Sequence, residues 1–291
     1  MKKLVILAIV CLTVTAKGVV TAHRHPAYTG QKSLNQANPT NSAAAPTANA
    51  AEDRTYKTKL GNDKNNQVQI EVYRSSVEVI GHNSDEVIIQ ADDYNVPERA
   101  EGLRSLFSEV EDNTKLGLAV VKENNILKIV QASRRGGNYT IKVPKNVAVV
   151  YHEANAHGGK FNLSNTDGAI DIDLHHASAT LTNITGPVKA KTLHGHLDIK
   201  FAQLNQAKAS TINSVHGPID ITLPGNTKAD FELQATHGEI YTDFDLSRPS
   251  EDKNGLTKIA GGNSIKGKTN NGGVEMNISA VHSDIYIRKQ K

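Results

Sequence analysis

From about residue 55 onward, apolar and polar residues alternate along most of this chain, the period of two expected of strands with one buried face. The alternation is sharpest where one phrase returns three times. It reads Leu193-His194-Gly195-His196-Leu197-Asp198-Ile199, then Val215-His216-Gly217-Pro218-Ile219-Asp220-Ile221, then Thr236-His237-Gly238-Glu239-Ile240-Tyr241. The glycines stand 22 and 21 residues apart, a period that marks stacked repeats. After them, Leu197, Ile199 and Phe201 alternate with Asp198 and Lys200, and Ile219, Ile221 and Leu223 with Asp220 and Thr222. Each glycine is expected to supply a positive-φ corner before its strand.

The same signal predicts strands earlier in the chain. Val68, Ile70 and Val72 alternate with Gln69, Glu71 and Tyr73; Val77 and Val79 follow, then Val87–Ala91. Leu116–Val121 and Ile126–Val130 flank a hairpin turn at Glu123-Asn124-Asn125, and Tyr139–Pro144 and Val147–Tyr151 come next. From there strands are expected to start near residues 160, 169, 179, 187, 196, 208, 218, 229 and 239, so two fit each coil of the repeat. Residues 246–263 look like an inserted loop, followed by two closing strands, Val274–Ile278 and Ile285–Ile287. One segment breaks the pattern. Pro97-Glu98-Arg99-Ala100-Glu101 opens a helix-like stretch with Leu103, Leu106, Phe107 and Val110 at helical spacing, suited to covering one end or side of a coil.

These elements predict an all-β fold, a parallel β-solenoid with a more irregular N-terminal portion and one short helix. The expected organisation is a signal peptide over residues 1–22, a tether over 23–52, an N-terminal β portion over 53–150 and solenoid repeats over 151–291, continuous with that portion. The leader rests on Lys2 and Lys3 ahead of the apolar run Leu4–Val14, with small-residue cleavage sites ending at Ala16 and Ala22. That run is shorter than the roughly 20 residues a membrane-spanning helix needs, and no later stretch comes closer. The protein is therefore expected in the periplasm, at the cell surface or secreted.

Composition narrows the chemistry. Cys11 is the sole cysteine and lies within the leader, so a mature chain has no disulfide, cysteine nucleophile or cysteine zinc site. Val10 before it does not suit lipid attachment. The leader holds Lys2, Lys3 and Lys17 and no acid, so 30 of 33 basic residues remain against 30 acidic ones. A neutral chain without a basic field argues against nucleic acid as a partner.

Ser76-Val77-Glu78-Val79-Ile80-Gly81-His82, then Tyr139-Thr140-Ile141-Lys142-Val143-Pro144, then the repeated Gly-x-Ile-Asp-Ile carry a resemblance. Together they resemble a bacterial β-strand-repeat family of unknown function labelled adhesin, over about residues 55 to 291. The resemblance implies an exported parallel β-solenoid with no established reaction and no cofactor; regularity without a convergent polar site suits a face presented to a glycan, another cell-envelope protein or a second copy of the chain. One departure stands out: that family usually has serine before the repeat glycine, where this chain has His194, His216 and His237.

Those histidines are the first candidate site. His194, His216, His237 and His282 each precede an inward aliphatic by three residues, whereas His157 and His176 fit the column loosely. Stacked layers would set them about 4.8 Å apart, a spacing at which two neutral imidazoles can share a zinc, copper or nickel ion. The plainer reading is a stack of corner histidines without metal, since no carboxylate or thiol is fixed beside them. Either way, acidification below about pH 6.5 should charge the stack and destabilise it.

Outward acids are the second candidate: Asp171, Asp173, Asp198, Asp220 and Glu275 follow buried aliphatics. A carboxylate ladder on a parallel sheet suits a polysaccharide-active enzyme. Lys189, Lys191, Lys200 and Lys208 among them favour a solvated mixed-charge face instead. Gly262-Asn263-Ser264-Ile265-Lys266-Gly267-Lys268-Thr269 matches the phosphate-loop pattern, but a strand and not a helix is expected after it, so it reads as a coincidental loop. The chain lacks the Gly-x-Ser-x-Gly and His-Glu-x-x-His motifs, and nothing fixes a nucleophile beside a base. A non-enzymatic module is the expectation.

Overall fold

Alternation along the chain becomes alternation between two sheets. The computed structural model describes residues 54–246 and 264–291, apart from 62, 93, 101, 104, 105, 107–109 and 154–158. The chain divides into Met1–Ala45 and Pro46–Lys291, and the described residues all belong to the second unit. The expected leader (1–22) and tether (23–52) lie outside them, as does His157.

The N-terminal strands are β1 (Thr55–Lys59), β2 (Gln67–Val72), β3 (Ser76–His82), β4 (Glu86–Ala91), β5 (Leu118–Glu123), β6 (Ile126–Gln131) and β7 (Asn138–Pro144). Then come β8 (Ala148–Glu153), β9 (Lys160–Ser164), β10 (Ile170–Leu174), β11 (Ser178–Ile184), β12 (Val188–Thr192), β13 (Leu197–Phe201), β14 (Ser210–Ser214) and β15 (Ile219–Leu223). The last five are β16 (Ala229–Ala235), β17 (Ile240–Thr242), β18 (Ser264–Thr269), β19 (Val274–Ala280) and β20 (Ile285–Lys289). From β9 to β17 each strand starts within two residues of its expected position.

One sheet runs β1-β4-β7-β3-β9-β11-β13-β15-β20-β17 and the other β18-β16-β19-β14-β12-β10-β8-β2-β6-β5. Between β8 and β15 the chain visits the two sheets by turns, each strand pairing in parallel with the strand two before it. Register keeps apolar over apolar. Leu181, Ile199, Ile221 and Ile287 form one inward row, and Tyr151, Ile172, Ala190, Ile212, Ile278 and Leu233 another. All ten are at most 2% exposed. Tyr151 and Phe161, from opposite sheets, stack at 4.1 Å within this core. Removing such surface from water stabilises the fold by roughly 25 cal/mol per Å².

Both ends depart from simple succession. β2 lies between β6 and β8, and β3 between β7 and β9, so the first strands sit inside their sheets. Correspondingly β19 lies between β14 and β16, and β20 between β15 and β17. The strands β1, β5 and β18 close three of the four sheet edges by antiparallel pairing, and the fourth edge, β17, has only three residues. Short or reversed edge strands protect a sheet from pairing with other chains.

Three expectations are corrected. In the helix-like stretch, Glu98–Ala100 form a single 3-10 turn without a buried residue, and Leu103 and Leu106 are 73% and 83% exposed. Gly102 has φ +72°, which ends a helix, and Phe107 lies outside the described residues. In the phosphate-loop pattern, Ser264–Thr269 is strand β18, paired with β16, while Gly262 and Asn263 lie outside the described residues. Asn270, Asn271 and Gly272 follow with positive φ and turn the chain into β19. The repeat glycines are the third correction. Gly195, Gly217 and Gly238 are absent from the positive-φ residues. A Cβ at these positions would lie 1.7 Å from the Ala177 carbonyl oxygen, 1.8 Å from that of Gly195 and 2.1 Å from that of Ser283. Close approach of neighbouring backbones, not handedness of φ, demands glycine there.

Candidate functional site

The corner between the sheets builds an ordered column. After Thr192 and Ser214 the chain leaves the second sheet, and their hydroxyls accept hydrogen bonds from the Gly195 and Gly217 N–H groups at 3.0 Å each. The corner residues between them join by main-chain bonds: His194 N–H donates to the His175 carbonyl (2.9 Å), His216 to Leu193 (3.0 Å), His282 to Val215 (2.8 Å) and His237 to Val281 (2.8 Å). With backbones locked this way, the side chains stack in the order His176, His194, His216, His282, His237. Ring centroids are 4.6 Å apart for the first pair and 4.9 Å for the next three. The first pair is tilted by 35°, whereas the others are within 9° of parallel.

Of the three histidines expected to share a metal, His194 and His216 are neighbours, but His282 separates His216 from His237. His176, which fitted the column loosely, is its first member; it too precedes an inward residue, Ala179, by three positions. All five side chains are exposed. Loss of water against the flanking rings, and then the proximity of His176 and His216, lower the pKa of His194 below the ordinary imidazole value. Among the described residues no three His, Cys, Asp or Glu side chains converge on one point.

Beneath the first histidine lies a residue that pattern reading missed. Leu174, at the corner position of β10, cannot cap the turn as Thr192 and Ser214 do. Glu153, opposite it on β8, replaces the missing hydroxyl. Its Oε2 accepts from the N–H groups of His175 (2.8 Å), His176 (2.9 Å) and Ala177 (2.9 Å). Glu153 is 3% exposed, and its Oε1 is buried without a partner. An acid in the inward register of Val149 and Tyr151 was the available signal.

The broad outward faces carry paired charges. Asp171 meets Lys189 at 2.9 Å, Asp173 meets Lys191 at 2.8 Å, and Asp220 meets Arg288 at 3.0 Å. On the first sheet, register aligns Thr180, Asp198, Asp220, Tyr286 and Tyr241 in one outward row. The two tyrosines stack at 5.3 Å, Arg288 lies 5.2 Å from the Tyr286 ring, and Tyr241 is 46% exposed. The Tyr241 hydroxyl donates to Glu239, which pushes its phenol up to about 12. A shallow groove of about 470 Å³ lies between residues 202–206 and 224–228, with Lys228 its one ionisable lining residue. Among the described residues no helix is long and apolar enough to cross a membrane.

No curated protein matches the chain. A solved structure from Clostridium sporogenes ATCC 15579, described as a "putative cell adhesion protein", is similar to it over 81% of this chain and 98% of that one. The identity is 13% and the TM-score 0.40. The family model described as Toastrack DUF4097 matches residues 40–288, from before β1 to the last strand, and the chain belongs to that family.

Proposed function

We propose that this protein is an exported, non-enzymatic β-solenoid of the cell envelope, an adhesin-like module that binds a glycan through the outward face of its first sheet. The observation that carries this reading is the outward row Thr180, Asp198, Asp220, Tyr286, Tyr241. It sets hydroxyl, carboxylate and aromatic groups one strand apart on one face of the sheet. Sugars are bound by such groups: hydroxyls pair with carboxylate and threonine oxygens, and ring C–H faces rest on aromatics. Parallel pairing of each strand with the strand two before it supports the solenoid. The apolar leader after Lys2 and Lys3 supports export. Carboxylates paired with lysine or arginine on both outward faces support binding over catalysis.

A glycan array probed with the untagged mature chain and with a Tyr241→Ala/Asp198→Ala variant tests the reading. Binding to a defined glycan class that the variant loses is expected. An array without signal, alongside capture of an envelope protein that the variant still binds, would overturn the glycan assignment.

A further inference from the structure

We propose that the five-histidine ladder binds divalent late transition-metal ions, Cu²⁺ most tightly, between neighbouring imidazoles that pivot toward a shared ion. The geometry supplies the donors. Five exposed imidazoles stand in one row, 4.6 to 4.9 Å between ring centroids, on a backbone that fixes their spacing. Metal binding takes the imidazole lone pair, and all five rings are exposed to solvent, where an ion can reach them.

Stacking alone does not complete a site. Lone pairs lie in the ring planes, so parallel rings hold like nitrogens about one layer apart. Two nitrogens at roughly 2.1 Å from one ion are separated by at most about 4.2 Å. A pair of rings must therefore tilt toward each other, which exposed side chains can do by rotation. His176 and His194 are both the closest pair and the one whose rings are not parallel, being tilted by 35°. Water would fill the remaining positions, since no third ligand converges among the described residues. Imidazole ligands with open positions suit Cu²⁺, Ni²⁺ and Zn²⁺, and Cu²⁺ stands highest of these in the affinity order.

The charged and titratable groups around the ladder divide it. His175 and His196 adjoin its N-terminal half, and the Ser178 hydroxyl lies 2.8 Å from His196 Nδ1. Glu153 beneath His176 is committed through Oε2 to three main-chain donors. At the other end, Glu239 follows His237 by two residues and Asp284 follows His282 by two. Asp284 accepts from the Glu239 N–H and the Tyr286 hydroxyl. The half from His176 to His216 is thus the richer in nitrogen donors.

The test is calorimetric titration of the untagged mature chain with CuCl₂, NiCl₂ and ZnCl₂ at about pH 7.5 and about pH 5.5. Expected is saturable binding in the order of Cu²⁺ over the other two, weaker by roughly tenfold or more at the acidic pH, where imidazoles are protonated. A His194→Asn/His216→Asn variant should lose roughly tenfold or more in affinity, while a His82→Asn/His152→Asn control should bind as the native chain does. In the native chain, which needs no substitution, substoichiometric Cu²⁺ should broaden the ring resonances of His176, His194 and His216 before that of His82. No saturable binding, equal losses in both variants, or uniform broadening of all histidines would overturn the proposal.

Discussion

The His282 ring lies flat on the His216 ring, 4.9 Å between centroids and 7° apart, while His237, which comes earlier in the chain, rests on its far side. Spatial order and chain order therefore part company at the end of the fold. The cause is the insertion of β19 and β20 between strands already laid down, so the last layer is braced on both sides. The five-membered stack exists only because the inserted layer contributes its own histidine.

Acid should loosen this stack. The pKa of His194 is lower in the folded chain than the ordinary value near 6.5, so the unfolded chain binds more protons as the pH falls through that range. The associated stability is complete above about pH 6.5 and is lost as the pH drops toward and below the folded pKa. Thermal melts between pH 7 and 5.5 should show a falling Tm, and His194→Asn should flatten that slope. A Tm independent of pH over this range would contradict the coupling.

Corner glycines should be intolerant of a single methyl group. Gly217→Ala would drive its Cβ to 1.8 Å from the Gly195 carbonyl oxygen, and neighbouring strands cannot separate without losing their ladder. A loss of about 1–3 kcal/mol or more is expected. Gly225→Ala is the control, since nothing lies within 4 Å of its added Cβ. Denaturant unfolding of both variants checks the difference.

Glu153 holds a turn that lacks its own capping hydroxyl. Glu153→Ala would leave three main-chain donors without their acceptor, at a cost of about 1–3 kcal/mol or more. Glu153→Gln retains one carbonyl oxygen and should cost less. Hydrogen exchange should report the difference first at His175, His176 and Ala177, where faster exchange is expected in the alanine variant.

The two faces of β15 should respond in opposite ways. Ile221 is fully buried between Ile199 and Ile287, and Ile221→Asp puts an unpaired charge in an aliphatic row, which should prevent folding. Asp220 points outward to Arg288, and exposed ion pairs of this kind contribute about 0–1 kcal/mol, so Asp220→Asn should leave the Tm nearly unchanged. Thermal melts giving the reverse order would mean that the buried face is misassigned.

Much of the architecture could be read from the residues because a period of two reports burial directly. Ile170, Ile172, Leu197, Ile199, Ile219 and Ile221 point inward, and Asp171, Asp198 and Asp220 outward, as their alternation implies. Pairing partners were less legible. Nothing local in Val274–Ala280 distinguishes a strand added at the end from one inserted between β14 and β16, since that choice depends on long-range packing. β18 was hidden because Lys266, Gly267 and Lys268 give an edge strand little apolar signal, only Gly267 and Thr269 being buried. The corner glycines were correctly singled out for the wrong reason: sequence marks where a side chain is forbidden, and only backbone distances show why. Glu153 was overlooked because its partners are main-chain groups, which carry no residue signature.

The layered winding with an inserted last layer is tested most directly by paired cysteines in the chain lacking residues 1–22, which removes Cys11, its sole cysteine. Asp220 and Tyr286 are register partners on adjacent strands, so their Cα atoms lie about 4.8 Å apart, within disulfide range. Asp220 and Tyr241 are separated by β20 and lie about 9.6 Å apart, beyond that range. Mild oxidation followed by non-reducing electrophoresis should show an intramolecular crosslink in Asp220→Cys/Tyr286→Cys and none in Asp220→Cys/Tyr241→Cys. Crosslinking of the second pair in preference to the first would contradict the inserted layer and the order of the histidine stack with it.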